Sequence, residues 1–197
     1  MKRLQKNELS RKAIHLLTSI FPILYISLFG NKSAVLSFLV LLVIFSISLE
    51  ILRNRNKRLK IIFNRLFSFM LRDNEKNGQL TGATWLLIGF IATISIYPKD
   101  IAVPAIIFLT IGDSFAAVIG KLLPLGQIGS KHISGSIAGL IASLIVVSYL
   151  NQNISILVLF LGATVAMFIE LIPSRVNDNL TIPIISGFAM QALNKFV

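Results

Sequence analysis

Four of the eight carboxylates in this 197-residue chain, Glu50, Asp113, Glu170 and Asp178, stand at or just inside one end of long apolar segments. A carboxylate at such a depth needs a partner, a proton, a metal ion or water, and it marks a place where chemistry is done. Asp113 is the deepest: it precedes Lys121 by eight residues, so it lies about 12 Å inside that helix end at 1.5 Å per residue. Thr110, Asp113, Ala117 and Gly120 fall on one helical face, a strip of small residues that a neighbouring helix or a phosphate can approach closely. An acid there could take up a proton or hold a divalent cation.

Around it the sequence offers groups that suit phosphate. The loop 122–132 contains Pro124, Gly126, Gly129 and Lys131, follows Lys121, and runs directly into Ser134-Gly135-Ser136 at the start of an apolar segment. Free N–H groups of a helix start, glycine at close approach, hydroxyls and two lysines make an anion site, although simple N-capping by Ser134 accounts for part of the pattern. Arg11 and His15 form an i, i+4 pair that could bind phosphate or shuttle a proton. Mg²⁺ takes one or two carboxylates with substrate phosphate oxygens, so Asp113 with Glu170 or with Asp178 and Asn179 would suffice, while Asp178-Asn179 alone also reads as a turn or cap.

The elements that must position these groups are membrane helices. Mean hydropathy is +0.81, with 55% hydrophobic and 14% charged residues, too little polar surface for a water-soluble globule. Hydropathy predicts an all-α bundle of about seven transmembrane spans, near 14–29, 34–52, 81–97, 101–120, 133–150, 154–172 and 182–196, in one domain covering 1–197. The last span is short enough to be re-entrant, and the first leads into further spans instead of a cleavage site. Sixteen lysines and arginines fall on one side of this arrangement and three on the other, which puts the N-terminus and the acids in the cytoplasm of an integral cell-membrane protein. Residues 57–72 alternate apolar and basic groups at helical spacing, as in an interfacial helix against anionic lipid, either anchoring the bundle or forming one wall of a lipid-entry cleft. The absence of cysteine excludes disulfides, thiolate metal sites and thiol nucleophiles. The net charge of +11 follows span boundaries and not an aromatic-interleaved basic domain, so no nucleic-acid partner is expected. Nothing in the sequence sets an oligomeric state.

Arg11-Lys12-Ala-Ile-His15, Gly82-Ala83-Thr84, the stretch from Gly112-Asp113 to Gly120-Lys121, Lys131 through Gly135-Ser136, and Asp178-Asn179-Leu180 occur in an order that resembles the CTP-dependent lipid-alcohol kinases. That family includes dolichol kinase, phytol kinase and the yeast-type diacylglycerol kinase, and it is similar to the phosphatidate cytidylyltransferases. The resemblance implies transfer of the γ-phosphoryl group of CTP, or another nucleoside triphosphate, to the hydroxyl of a membrane lipid such as a polyprenol, phytol or diacylglycerol. It places Asp113 at the catalytic centre, with Lys131 to Ser136 on the nucleotide phosphates; the Mg²⁺ that the carboxylates could hold is the cofactor expected for such a reaction. The chain departs from the family pattern at His132, Ser134 and Asn177. Two other activities fit the residues: a cytidylyltransferase using the same nucleotide, and a small transporter coupling protons or cations through Asp113 and Glu170.

Overall fold

Between Ile101 and Ile111 nearly every side chain is apolar on all sides, and such a segment is stable only when surrounded by other helices. In the computed structural model, which describes residues 6–27, 31–150, 153–173 and 176–196, this segment is the axis of the molecule. It consists of α7 (Lys99–Ile107), a π-helical turn (Phe108–Gly112) and α8 (Asp113–Leu122), which run on as one helix. Against it pack α6 (Gly82–Ile96), α9 (Ile133–Leu150), α10 (Ile156–Leu171) and α11 (Asp178–Leu193), while α3 (Lys32–Arg55) packs on α6. Tyr25, Phe90, Phe108, Leu159 and Met190 fill the core. The outward faces stay apolar: Leu41, Ile44 and Phe45 on α3, and Ile137, Ile141 and Ile145 on α9, are all exposed at roughly one-turn spacing. Among the described residues, the three helices spanning Lys32–Arg55, Lys99–Leu122 and Ile133–Leu150 are long and apolar enough to cross a membrane. Gly82–Ile96 and Ile156–Leu171 are apolar but shorter; at 1.5 Å per residue each rises about 23 Å.

The structure departs from the expected spans in two places. The segment 14–29 is broken into α1 (Lys6–Leu17) and α2 (Ile20–Ser27). At the break the hydroxyls of Thr18 and Ser19 donate to the carbonyls of His15 (2.6 Å) and Leu16 (2.7 Å), and Pro22 has no N–H for a continuing helix. The loop 122–132 contains a small antiparallel hairpin, β1 (Gln127–Ile128) with β2 (Lys131–His132), within a fold that is otherwise all-α as expected. Its turns require glycine, with φ of 65° at Gly126 and 58° at Gly129. Phe29 and the cations Lys2, Arg3 and Arg175 lie outside the described residues.

The interfacial segment forms α4 (Lys57–Phe67), which begins where the Asn56 side chain accepts from the N–H groups of Arg58 and Leu59. The chain then turns through Ser68–Met70 into the short α5 (Asp73–Lys76). Phe63 lies beneath the Arg53 guanidinium, 4.7 Å from ring centroid to Cζ, and Asn64 donates to the Lys76 carbonyl. Leu59, Ile61, Ile62 and Leu66 stay exposed.

Candidate active site

Lys12 and His15 are three residues apart on α1, so they share a face, and that face meets Asp113 at the first residue of α8. The Lys12 ammonium donates directly to Asp113 Oδ2, and His15 Nδ1 stands 3.7 Å from the same oxygen. All three side chains are buried, and His15 Nδ1 has no hydrogen-bond partner. Ser114 fixes the crossing of the two helices: its hydroxyl donates to the Thr110 carbonyl (2.6 Å) and lies 3.3 Å from the Lys12 carbonyl. The depth inferred for Asp113 is thus matched by a lysine 101 residues away in sequence.

Asp113, Lys12 and His15 line a cavity of about 980 Å³. Its lining mixes polar groups, among them Arg11, Arg72, Asp178 and Asn179, with apolar ones, among them Ile14, Phe63, Phe67, Met70 and Leu86. Phe63 and Phe67 of α4, with Met70 just after it, bring the segment expected at the interface into the cavity lining. Arg11 is drawn below its ordinary value by burial and by the charge of Arg72, while Asp113 and Glu75 act in the opposite sense.

The entrance to α6, which carries Gly82 and Ala83 into the cavity, is held by two further buried acids. Glu50 Oε1 accepts from the Thr81 N–H (2.9 Å), the Thr81 hydroxyl (2.8 Å) and the Thr84 hydroxyl (2.6 Å). Glu75 accepts from the N–H groups of Arg72 (2.8 Å) and Gly82 (2.9 Å). Asn179, just after the Asn177 cap of α11, donates to the Gly82 carbonyl at 2.9 Å. Gly89 lets α6 cross directly over the Asn179 backbone, where any Cβ would collide.

The remaining expected site residues form other groupings. Glu170 is buried and accepts from the Ser136 hydroxyl (3.0 Å); Lys131 lies 3.4 Å from Glu170 Oε1 and 3.0 Å from Asp178 Oδ2, and it also donates to the Glu170 carbonyl. Burial pulls the Lys131 ammonium down, but Glu170 and Asp178 outweigh it and hold the group above its ordinary range. Lys121 pairs with Glu8 and lies away from the cavity lining. At the start of α9 the N–H groups of Ile133 and Ser134 bond the carbonyls of Gly126 (2.9 Å) and Leu125 (3.3 Å), and the Ser134 hydroxyl donates to the Leu123 carbonyl. Gly135 sits against the backbone of Ala116 and Gly120, so it serves the contact between α9 and α8. Among the described residues no three His, Asp or Glu side chains come close enough together to hold a metal ion by themselves. Asp113 and Asp178 do line the same cavity, which fits an ion that also draws on substrate oxygens.

Sequence reasoning missed Lys12 as the Asp113 counter-ion, Arg72 on the cavity wall, and the Glu50 and Glu75 anchors. Lys12 had a local signal in its three-residue spacing from His15, and Glu50 in its place at the end of an apolar segment, which marked it without giving its role as an anchor.

A buried acid facing a cavity of mixed polar and apolar lining, in a bundle of apolar helices of which three are long enough to cross a membrane, is the architecture of a helical membrane protein. Comparison with known proteins agrees on the class. The chain is 30% identical to "Uncharacterized protein RP860" of Rickettsia prowazekii over 185 residues, covering 90% of each chain, and it belongs to that protein's family. It is 26% identical to CTP-dependent diacylglycerol kinase 1 of Saccharomyces cerevisiae over 220 residues, covering 96% of this chain and 74% of the yeast protein. The similarity to CTP-dependent diacylglycerol kinase 1 of Schizosaccharomyces pombe is 23% over 117 residues, 59% of this chain and 53% of that one. No family model and no solved structure matches the chain.

Proposed function

We propose that the chain is a membrane lipid kinase that transfers the γ-phosphoryl group of CTP to the hydroxyl of a membrane lipid alcohol, with its site at the cytoplasmic face. The observation that carries this reading is the cavity itself: it gathers Asp113, the cations Arg11, Lys12 and Arg72, and apolar side chains that include Phe63 and Phe67 of α4. The distant similarity to two yeast CTP-dependent diacylglycerol kinases supports the same reaction class.

In this account the lipid chain lies against Phe63, Phe67 and Leu86 and presents its hydroxyl to Asp113. Phosphoryl transfer depends mainly on positioning and on neutralising charge over the phosphoryl oxygens. Lys12 and Arg11 supply that charge, and the release of Lys12 toward a phosphate frees Asp113 to accept the hydroxyl proton. The bond from the γ-phosphorus to its bridging oxygen breaks, the lipid oxygen bonds to phosphorus, and CDP leaves. Mg²⁺, held by Asp113 and Asp178, would add charge neutralisation on the phosphates. The test is reconstituted protein with CTP labelled at either the α or the γ phosphate, offered diacylglycerol, phytol, a polyprenol or phosphatidate. The γ-label should appear in one alcohol. If instead the α-label enters lipid from phosphatidate with release of pyrophosphate, the protein is a cytidylyltransferase.

A further inference from the structure

A smaller pocket of about 410 Å³ adjoins the main cavity and shares Arg72, Asn74, Glu75, Gln79, Trp85 and Asn177 with it. We propose that the nucleotide donor lies across this junction, with its base in the smaller pocket and its phosphates between Arg72 and the Arg11–Lys12 pair. Arg72 is then a binding residue for the donor. This rests on the kinase reading and deepens it by giving the donor its place.

Three observations carry the assignment. Arg72 faces Arg11 closely enough for the two charges to repel, yet its guanidinium enters no ion pair among the described residues. Two arginines and a buried lysine converging on an open space suit a polyphosphate, since guanidinium groups bind phosphate oxygens in a fork. Second, the smaller pocket is rich in amide donors. Gln79 Oε1 is already taken by Asn74 (2.8 Å) and Asn177 Oδ1 by the Asn179 N–H (3.0 Å), which leaves the N–H₂ groups of both to donate. The O2 and N3 atoms of cytosine accept, and the indole of Trp85 offers a face for stacking. Third, Phe63, Phe67 and Leu86 line the main cavity and not the smaller pocket, which leaves apolar surface there for the lipid when the base occupies the smaller pocket.

Trp85 is the sole tryptophan of the chain, so its fluorescence reports on the smaller pocket without any need for turnover. Full-length protein in detergent is titrated with CTP and, separately, with inorganic tripolyphosphate as a competitor. CTP should quench Trp85 emission, and tripolyphosphate should displace CTP while causing no quenching of its own. Arg72→Gln should weaken both ligands at least tenfold, with Arg72→Lys recovering part of the loss. Gln79→Leu should weaken CTP and leave tripolyphosphate unchanged. The placement is overturned if CTP binds without altering Trp85 emission, if CTP does not bind, or if Arg72→Gln binds both ligands as the natural protein does. If the quenching pattern holds but no label reaches any lipid, the nucleotide site stands and the kinase reading falls.

Discussion

Replacing Lys12 by methionine keeps the length of the side chain and removes the charge that faces Asp113. Both residues are buried, with Lys12 8% and Asp113 6% exposed, so water cannot take over the lost contact. Breaking a buried pair by removing one partner costs roughly 3–5 kcal/mol, because the remaining charge is left uncompensated. The lower end applies here, since His15 Nδ1 stands 3.7 Å from the same oxygen without a hydrogen-bond partner and can donate an N–H to it once Lys12 is gone. Lys12→Met should therefore lose about 3 kcal/mol. Combining it with Asp113→Asn removes the stranded charge and should recover about 2 kcal/mol of that loss, a coupling of the size expected for residues in contact. Reversible unfolding of the four proteins in one detergent, followed by circular dichroism, gives both numbers. If Lys12→Met lies within 1 kcal/mol of the natural protein, or the double variant is no more stable than Lys12→Met alone, the pair is not the buried contact described and the argument for Asp113 weakens with it.

Three further outcomes follow from the same geometry. Glu50→Ala should cost about 3 kcal/mol, because it strands the Thr81 and Thr84 donors and the buried Arg53, whereas Glu50→Gln, which keeps an acceptor, should cost less; thermal unfolding ranks them. Gly135→Val should destabilise by about 1–3 kcal/mol by forcing α9 away from Ala116 and Gly120, and a loss no larger than that of a surface substitution would contradict the close approach. Phe63→Ala with Phe67→Ala should raise the KM for lipid severalfold and leave that for nucleotide unchanged, as expected of an apolar wall for the acceptor; the reverse pattern in initial-rate kinetics would place the lipid elsewhere.

Helices were legible in the sequence because hydropathy and helical spacing are local properties. The amphipathic run from Lys57 gave the helix α4 for that reason, and the burial of Asp113 was expected before any partner was visible. What could not be read is what depends on which helices meet. The Lys12–Asp113 contact joins residues 101 positions apart, and no periodicity encodes it. Lys121 looked like a phosphate ligand because its sequence neighbours are glycine and loop; the fold gives it Glu8 instead. Gly135 and Ser134 carry the residue types of an anion cradle, and types alone do not distinguish that from a helix start tied to its own loop. The break at Thr18 and Ser19 was within reach, since two hydroxyl residues followed by Pro22 weaken a helix, but the apolar run around them masked it.

In the proposed reaction Asp113 serves phosphoryl transfer to a lipid at the cytoplasmic face. Oriented proteoliposomes supplied with γ-labelled CTP and a lipid alcohol, prepared from the natural protein and from Asp113→Asn verified as folded, put this to the test. The account expects transfer only when CTP is on the side that carries the N-terminus, and a loss of at least about 100-fold in the variant. Transfer by folded Asp113→Asn at near the natural rate, or no transfer to any alcohol by the natural protein, would contradict it.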